Sequence, residues 1–484
     1  MHYALITKTL GVLLMIFSFT MAPPALLAWY FQDGGELPFA SAFAVIFFLG
    51  LLLWLPTWHR RGELRTRDGF LIVTLFWTVL GSIGALPFLL NPQLNISLTD
   101  AVFESISGIT TTGGTVLSGL DNLPPSLLFY RQQLQWLGGM GIIVLAIAIL
   151  PLLGVGGMQL YRAEMPGPMK DAKLTPRIAE TAKTLWFIYL AFTLLCAFFY
   201  RLAGMSWFDA ISHSFSTVAT GGFSTHDANM AYFDSTLINM IGAVFIFLGS
   251  ISFALHFAVF RGRNLKEYFY DPEFRSFITL LLGYVAVLSV VLWAYGVFQQ
   301  TPGTLFSHAI FQALSFSSST GFVSTNASLW PSFLPYFLVF TSFIGGCAGS
   351  TSGGMKVIRV ALFFRQSFRE LKQMIYPSAV FSVQFGRRAV SSTIMQAVWG
   401  FIGVYIFLTV LFIMVFMATG LDFGTAFSAT AASLNNLGQG IEGVAHGFGG
   451  LSNAAKWTMC FAMLLGRLEI FTLLVLFTPL FWRQ

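Results

Sequence analysis

Ten apolar runs divide this chain, at roughly 9–30, 38–58, 69–90, 128–154, 184–203, 235–260, 276–298, 333–363, 393–419 and 455–482. Each has about the length that crosses a hydrocarbon core, for which a helix needs about 20 residues. Stretches such as 141–153 and 280–293 are continuously apolar, whereas an outer-membrane barrel alternates apolar and polar residues along each strand. The spans are therefore helical and the fold class is an all-α polytopic membrane protein. Charged residues make up only 10% of the chain, against about 25% in a soluble protein, which excludes soluble and disordered classes. The formal charge of +6 sits in short loops and never forms a tract that would suit nucleic acid. Cys196, Cys347 and Cys460 are widely separated in apolar or glycine-rich surroundings, so free buried thiols are expected rather than a disulfide framework or a zinc site. Residues 10–30 follow Lys8 as a secretory signal would, but the run is too long and lacks a small-residue cleavage site, so it reads as a retained first span.

The loops orient the spans. Arg60, Arg61, Arg65 and Arg67 fill one connection, Arg162, Lys170, Lys173, Arg177 and Lys183 another, and Arg261, Arg263 and Lys266 a third. Arg365, Arg369, Lys372, Arg387 and Arg388 fill a fourth, and Arg483 ends the chain. Every second connection is basic, which places these connections and both termini in the cytoplasm. The opposite connections carry Asp33, Glu36, Asp100, Glu104, Asp121, Asp209, Asp227, Asp234, Asp422 and Glu442. An acidic outer mouth of this kind attracts cations.

Four of the outer connections, 91–127, 204–234, 299–332 and 420–454, hold a semi-apolar stretch too short to span, followed by a Gly, Ser, Thr or Asn cluster. They read as re-entrant segments. They align as DAVFESISGITTTGG from Asp100, DAISHSFSTVATGG from Asp209, HAIFQALSFSSSTGF from His308 and TAFSATAASLNNLGQG from Thr425. From the opening residue to Gly113, Gly321 or Gly438 is thirteen residues, and to Gly221 it is twelve. One such cluster alone reads most simply as small-residue packing between helices. Four at the same place in four units favour a pore.

The expected organisation is four span, short helix, span units around one axis, at 67–158, 159–263, 264–365 and 366–484, with 1–66 as an added two-span domain. The proposed filter strands are Thr110, Thr111, Thr112 and Gly113; Val218, Ala219, Thr220 and Gly221; Ser318, Ser319, Thr320 and Gly321; and Asn435, Asn436, Leu437 and Gly438. Glycine lets the backbone turn its carbonyls toward an axis, where they replace the hydration shell of a cation. Each short helix would end at the filter and point its negative C-terminal dipole at the path.

These motifs resemble the Trk/Ktr/HKT superfamily of potassium transporters, in particular its bacterial Trk-type membrane subunits with an extra pair of N-terminal spans. TTTGGT at 110–115, ATGGFST at 219–225, STGFVST at 319–325 and NNLGQG at 435–440 carry the resemblance over nearly the whole chain. It implies a potassium pathway, with potassium bound at the filter as cargo and no organic cofactor. Glycine in all four filters goes with potassium in that family, and serine in the first with sodium in some plant members; position 113 is glycine. The fourth strand departs from the pattern, with Leu437 before Gly438. The resemblance also implies a homodimer in the bacterial inner membrane and a cytosolic nucleotide-binding regulatory ring of the TrkA-like kind.

Segment 333–363 contains GGCAGSTSGGMK, which crowds Gly345, Gly346, Gly349, Ser350, Thr351, Gly353, Gly354 and Lys356 where half a helix has already crossed. Each interior glycine costs a helix about 1 kcal/mol relative to alanine. Broken backbone at membrane depth survives only against protein or a wet cavity. A flexible loop below the filter and a merely kinked, tightly packed helix are the two readings; the resemblance favours the first, an intramembrane gating loop. Lys356 has a second reading as an interfacial anchor.

Arg467 lies about twelve residues into the last span, about 18 Å deep at about 1.5 Å per residue. Lipid exposure there costs about 2.5–3.5 kcal/mol, so it is expected to face protein or water. The resemblance implies a pore barrier, and the alternative is a structural ion pair. Glu469 stands on another face of the helix and is not its partner. His213 and His308 suit capping or packing better than proton relay.

No paired catalytic carboxylates, HExxH or nucleophile elbow occurs, so no enzyme is expected. Gly154–Gly157 ends a span and is no dinucleotide site. A secondary carrier would place charged or aromatic ligands between inverted repeats, whereas these units all run in one sense. Channel-like flux and flux coupled to protons or sodium both fit a four-unit pore.

Overall fold

The computed structural model describes residues 1–60, 62, 65–144, 174–297, 302–325, 330–386 and 388–483. Arg61, Arg162, Lys170, Lys173, the glycine run 154–157 and the boundary expected at 158/159 lie outside them. Among the described residues the regular structure is helical, apart from a hairpin of two-residue strands, Gln384–Phe385 and Arg388–Ala389, in the last basic connection.

Among the described residues six helical rods are long and apolar enough to cross a bilayer: Tyr3–Phe31, Glu36–Thr57, Arg67–Leu90, Ala182–Leu202, Pro272–Ala294 and Ser392–Ala418. Their outward faces are apolar and bare, as at Leu52 (67% exposed) and Trp293 (72%), which suits a lipid solvent. The first two rods cross where glycines meet. A Cβ on Gly11 would stand 2.7 Å from the Gly50 carbonyl oxygen, and one on Gly50 the same distance from that of Gly11. Only small residues let two backbones approach so closely.

Four short helices stand between the rods: Leu98–Ile109, Trp207–Val218, Pro302–Ser317 and Phe423–Leu434. Three have sequence-legible caps, with the side chains of Ser97, Ser206 and Asp422 accepting from the backbone N–H of Asp100, Asp209 and Thr425. Their inner ends are buried among the segments that follow them. Cys196, Cys347 and Cys460 are unpaired and buried.

Two segments depart from the continuous spans expected of them. In 235–260 the helices Thr236–Ser250 and Phe253–Gly262 meet at 92°, and in 455–482 Asn453–Arg467 and Phe471–Phe477 meet at 107°. Neither break carries glycine or proline. At the first, the freed backbone groups pair with another segment: Cys347 N–H donates to the Ser250 carbonyl (2.9 Å) and Phe253 N–H to that of Gly349 (3.0 Å). At the second, Glu469 and Ile470 both hold positive φ, of 54° and 57°. The interruption expected in 333–363 is present, between Phe333–Ile344 and Val357–Ile375.

Candidate functional site: a ring of four strands and the loop beneath it

Each short helix runs into a strand in which a non-glycine residue adopts left-handed backbone and a glycine does so two residues later. The pairs are Thr111 and Gly113 (φ 51° and 84°), Thr220 and Gly222 (50° and 81°), Ser319 and Gly321 (56° and 79°), and Asn436 and Gly438 (53° and 72°). Left-handed backbone costs a non-glycine residue about 1–3 kcal/mol and persists only where surroundings over-determine it. All four are buried. Thr112, Thr320 and Leu437 donate their N–H groups back to the carbonyls of Ser107, Ser315 and Ala432 in their own helices, and Gly221 does so to Ser216.

The strands close on one another. A Cβ on Gly113 would stand 1.9 Å from the carbonyl oxygen of Gly221, one on Gly222 2.0 Å from that of Thr320, one on Gly321 2.0 Å from that of Leu437, and one on Gly438 2.1 Å from that of Thr112. First leans on second, second on third, third on fourth and fourth on first, so the four form a closed ring. No side chain fits at any of these glycines.

This geometry moves the second strand by one residue from the register expected above. Its positive-φ glycine is Gly222, thirteen residues after Asp209 like the other three glycines after their opening residues. Gly221 occupies the position of Thr112, and the strand is Ala219 to Gly222. Val218 is the last residue of its helix. Two adjacent glycines satisfy the motif equally in sequence, and only the contact with Thr320 selects between them.

Side chains from the short helices hold the strands beyond the glycines. Glu104 accepts from Thr115 Oγ1 and Val116 N–H, each at 3.0 Å, and at the equivalent place His213 Nε2 lies 3.0 Å from Ser224 Oγ. His308 Nδ1 lies 2.8 Å from Ser324 Oγ, so both histidines brace the ring. Glu104 also meets Arg131 Nε at 2.7 Å, with both side chains buried. Arg131 in turn donates to the Ser224 carbonyl at 3.1 Å and lies over the Phe223 ring. Sequence pattern does not single out Arg131, a cation at the outer end of a span. Its only sequence signal was that it stood among acidic outer residues. Gln135 likewise donates to the Gly221 carbonyl (2.6 Å) and accepts from Phe223 N–H (3.1 Å).

At the outer rim, His226 Nδ1 lies 2.5 Å from Asp121 and Nε2 3.4 Å from Asp209, with the ring stacked on Tyr232 at 3.4 Å. Burial works against protonation of this imidazole, but its hydrogen bonds to the Asp209 and Asp121 carboxylates outweigh it and raise its pKa. The contact ties the outer loop of the first unit to that of the second.

The glycine-rich loop 345–356 lies directly beneath the ring. Thr220 Oγ1 donates to Thr351 Oγ1 (3.1 Å), Gly353 N–H donates to Ser319 Oγ (2.5 Å), and a Cβ on Gly353 would stand 2.0 Å from the Asn435 carbonyl oxygen. Gly345 and Gly354 take φ of 77° and 72°, and a Cβ on Gly345 would strike the Gly353 carbonyl oxygen at 2.2 Å. The loop's neck closes through Val357 N–H to the Gly346 carbonyl (3.0 Å) and Met355 N–H to that of Phe343 (3.0 Å). Ser350 Oγ donates to the Cys347 carbonyl at 2.6 Å. Lys356 is buried and its ammonium turns back onto the Ser352 carbonyl, so it is no interfacial anchor.

Arg467 reaches the same place from the opposite side. It sits at the end of its helix, where the chain breaks, rather than midway along a continuous span. Nη1 donates to the Thr351 carbonyl (3.0 Å) and Nη2 to Thr111 Oγ1 (2.5 Å). The ion pair belongs instead to Glu469, whose partner is Arg359 at 2.6 Å. Loop and arginine together touch the left-handed residues of three strands. Among the described residues no group of three His, Cys, Asp or Glu side chains is placed to hold a resident metal ion.

A closed ring of four strands at the inner ends of four short helices, within a bundle of apolar spans, defines a membrane protein built around an ion path. The model of the TrkH family, described as cation transport protein, matches residues 36–483, and the chain belongs to that family. The chain is 53% identical over 484 residues to the Trk system potassium uptake protein TrkH of Salmonella typhimurium, with 100% of both covered. It is 42% identical over 483 residues to the Trk system potassium uptake protein TrkG of Escherichia coli, covering 100% of this chain and 99% of the other. The crystal structure of the potassium transporter TrkH from Vibrio parahaemolyticus is similar over 100% of both chains, with a TM-score of 0.93 and 52% identity.

Proposed function

We propose that this protein takes up potassium across a bacterial inner membrane, with both termini in the cytoplasm, through a pore walled by units 67–158, 159–263, 264–365 and 366–484. The observation that carries this reading is the closed ring of four strands, each glycine against the carbonyl of the next. Such a ring can surround one dehydrated cation with backbone oxygens, and the C-terminal ends of four short helices favour positive over negative charge there. The filter is Thr110 to Gly113, Ala219 to Gly222, Ser318 to Gly321 and Asn435 to Gly438. Loop 345–356 and Arg467 form the gate on its inner side, because they bridge the strands from below and Arg467 adds a positive charge to the path. Two copies form the membrane unit, and a cytosolic nucleotide-binding ring acts on the basic inner connections.

The test is the reversal potential of the purified protein in bilayers under separate potassium, sodium and proton gradients. Reversal that follows potassium alone is expected. A shift under a proton or sodium gradient would establish coupled transport in its place, and indifference to potassium would overturn the reading.

A further inference from the structure

Arg467 stands two residues before a strained turn. Its helix ends there, the chain swings by 107°, and the corner residues Glu469 and Ile470 both take positive φ. The second is β-branched, for which that conformation is a genuine outlier. Local backbone bonds close it, with Ile470 N–H donating to the Leu465 carbonyl at 2.9 Å and Phe471 N–H to that of Glu469 at 2.5 Å. The longest-range restraint is Glu469 Oε2 on Arg359 Nη2 at 2.6 Å, across 110 positions of sequence. Arg359 lies in the first turn of Val357–Ile375, the helix that leaves the gating loop for the basic cytoplasmic connection. Its guanidinium also donates to the Met355 carbonyl at 3.0 Å and lies 4.1 Å from the centre of the Phe401 ring. One side chain thus holds the end of the loop and the corner that aims Arg467.

We propose that the Arg359–Glu469 pair is the link by which movement of helix Val357–Ile375 withdraws Arg467 from Thr111 and Thr351, so that loop and arginine leave the path together. Both are positioning residues: neither touches the filter strands, and each acts through Arg467. This rests on the reading of Arg467 as the barrier. A partner that pulls on the cytoplasmic end of the helix need not reach the membrane interior, because the pair carries the displacement to a residue two positions from Arg467. An ion pair suits such a link, since it is strong when aligned and weakens steeply once parted.

The experiment measures rubidium flux and potassium/sodium selectivity of the full-length protein in liposomes. Glu469→Gln and Arg359→Gln are each expected to raise flux by about fivefold or more, the scale of a typical coupling between sites, with selectivity unchanged. The exchange of both charges, Arg359→Glu with Glu469→Arg, is expected to bring flux back toward the parent's. In an Arg467→Ala background, Glu469→Gln is expected to add nothing. If Arg467→Ala raises flux while neither single variant does, the link is wrong and the barrier stands; if Arg467→Ala itself leaves flux unchanged, the barrier reading fails. Additive effects of Glu469→Gln and Arg467→Ala, or a charge exchange no better than the single variants, would also overturn the link. Thermal melting of each variant in detergent separates these outcomes from loss of fold: a fully folded exchange variant with leaky flux counts against the proposal.

Discussion

At the ring itself the four units repeat one another, whereas inward from it the three whose inner spans are described each do something different. All four have a short helix, a left-handed residue, a glycine two positions on and a carbonyl against the neighbouring strand. Below, the second unit bends by 92° at a serine-flanked corner, the third opens into twelve loop residues between Ile344 and Val357, and the fourth bends by 107° at Glu469 and Ile470. A cation shorn of water needs oxygens on every side, so a defect in any one strand is felt by the whole cage. A lock needs to close the path from one side only, so one loop and one arginine suffice and the other units are free to differ. The upper half is over-determined by repetition, and the lower half is held by a few unlike contacts, which is what a moving part requires.

The contrast is broken most severely at the ring glycines. Gly222→Ala is expected to abolish selective uptake, because its Cβ meets the Thr320 carbonyl oxygen at 2.0 Å on backbone with φ of 81°. Gly113→Ser should likewise collapse the potassium/sodium permeability ratio, its Cβ lying 1.9 Å from the Gly221 carbonyl oxygen. For Gly221→Ala the three nearest atoms all belong to the Gln135 side chain, from 2.5 Å. Its defect should therefore be relieved by Gln135→Ala, while no side-chain change rescues Gly222→Ala. Equal rescue of both would return the second strand to the register with Gly221 as its glycine.

Shortening Gly345 to Gly354 is next in size. Flux should become leaky and indifferent to a regulator while selectivity survives, since the deletion removes the contacts on Thr220 and Ser319 but none of the ring carbonyls. Recordings that stay closed without a regulator would remove the loop as gate, and lost potassium preference would assign it to the filter.

Arg467→Ala should raise flux by about tenfold if the charge contributes about 1.4 kcal/mol to the barrier. Slower flux from a folded variant would make the side chain structural, a brace between Thr111 and Thr351.

The smallest effect belongs to the outer rim. The His226 pKa is raised above its ordinary 6.5 in the folded protein, so its stabilisation is complete below that value and is lost as pH rises through the folded one. His226→Asn should lower melting temperature at mildly acidic pH, by the equivalent of about 1 kcal/mol, and leave it nearly unchanged at alkaline pH. An equal loss at both would mean that stacking on Tyr232, rather than charge, ties the two loops.

What the amino-acid sequence determined by itself is whatever one or two turns of chain decide. Hydropathy over about 20 residues marks a span: six of the ten expected runs are continuous rods, two are bent pairs, 333–363 is opened by its loop, and the fourth is described only as far as Val144. A serine or aspartate before a semi-apolar stretch caps a helix, as Ser97, Ser206 and Asp422 do. Five glycines in ten residues cannot continue a helix, and 345–354 does not. Tertiary structure decided the rest, because the deciding partners are distant in sequence. The bends follow Gly249 and Gly466, which a span can also carry unbroken, and are fixed by distant partners: Cys347 and Gly349 take up backbone groups at the first, and Arg359 takes the Glu469 carboxylate at the second. Glu104 found Arg131, and Gly222 rather than Gly221 met Thr320, only once the four units had closed on one axis. Local sequence sets which backbone states are cheap, and contact across the ring decides which of them is occupied.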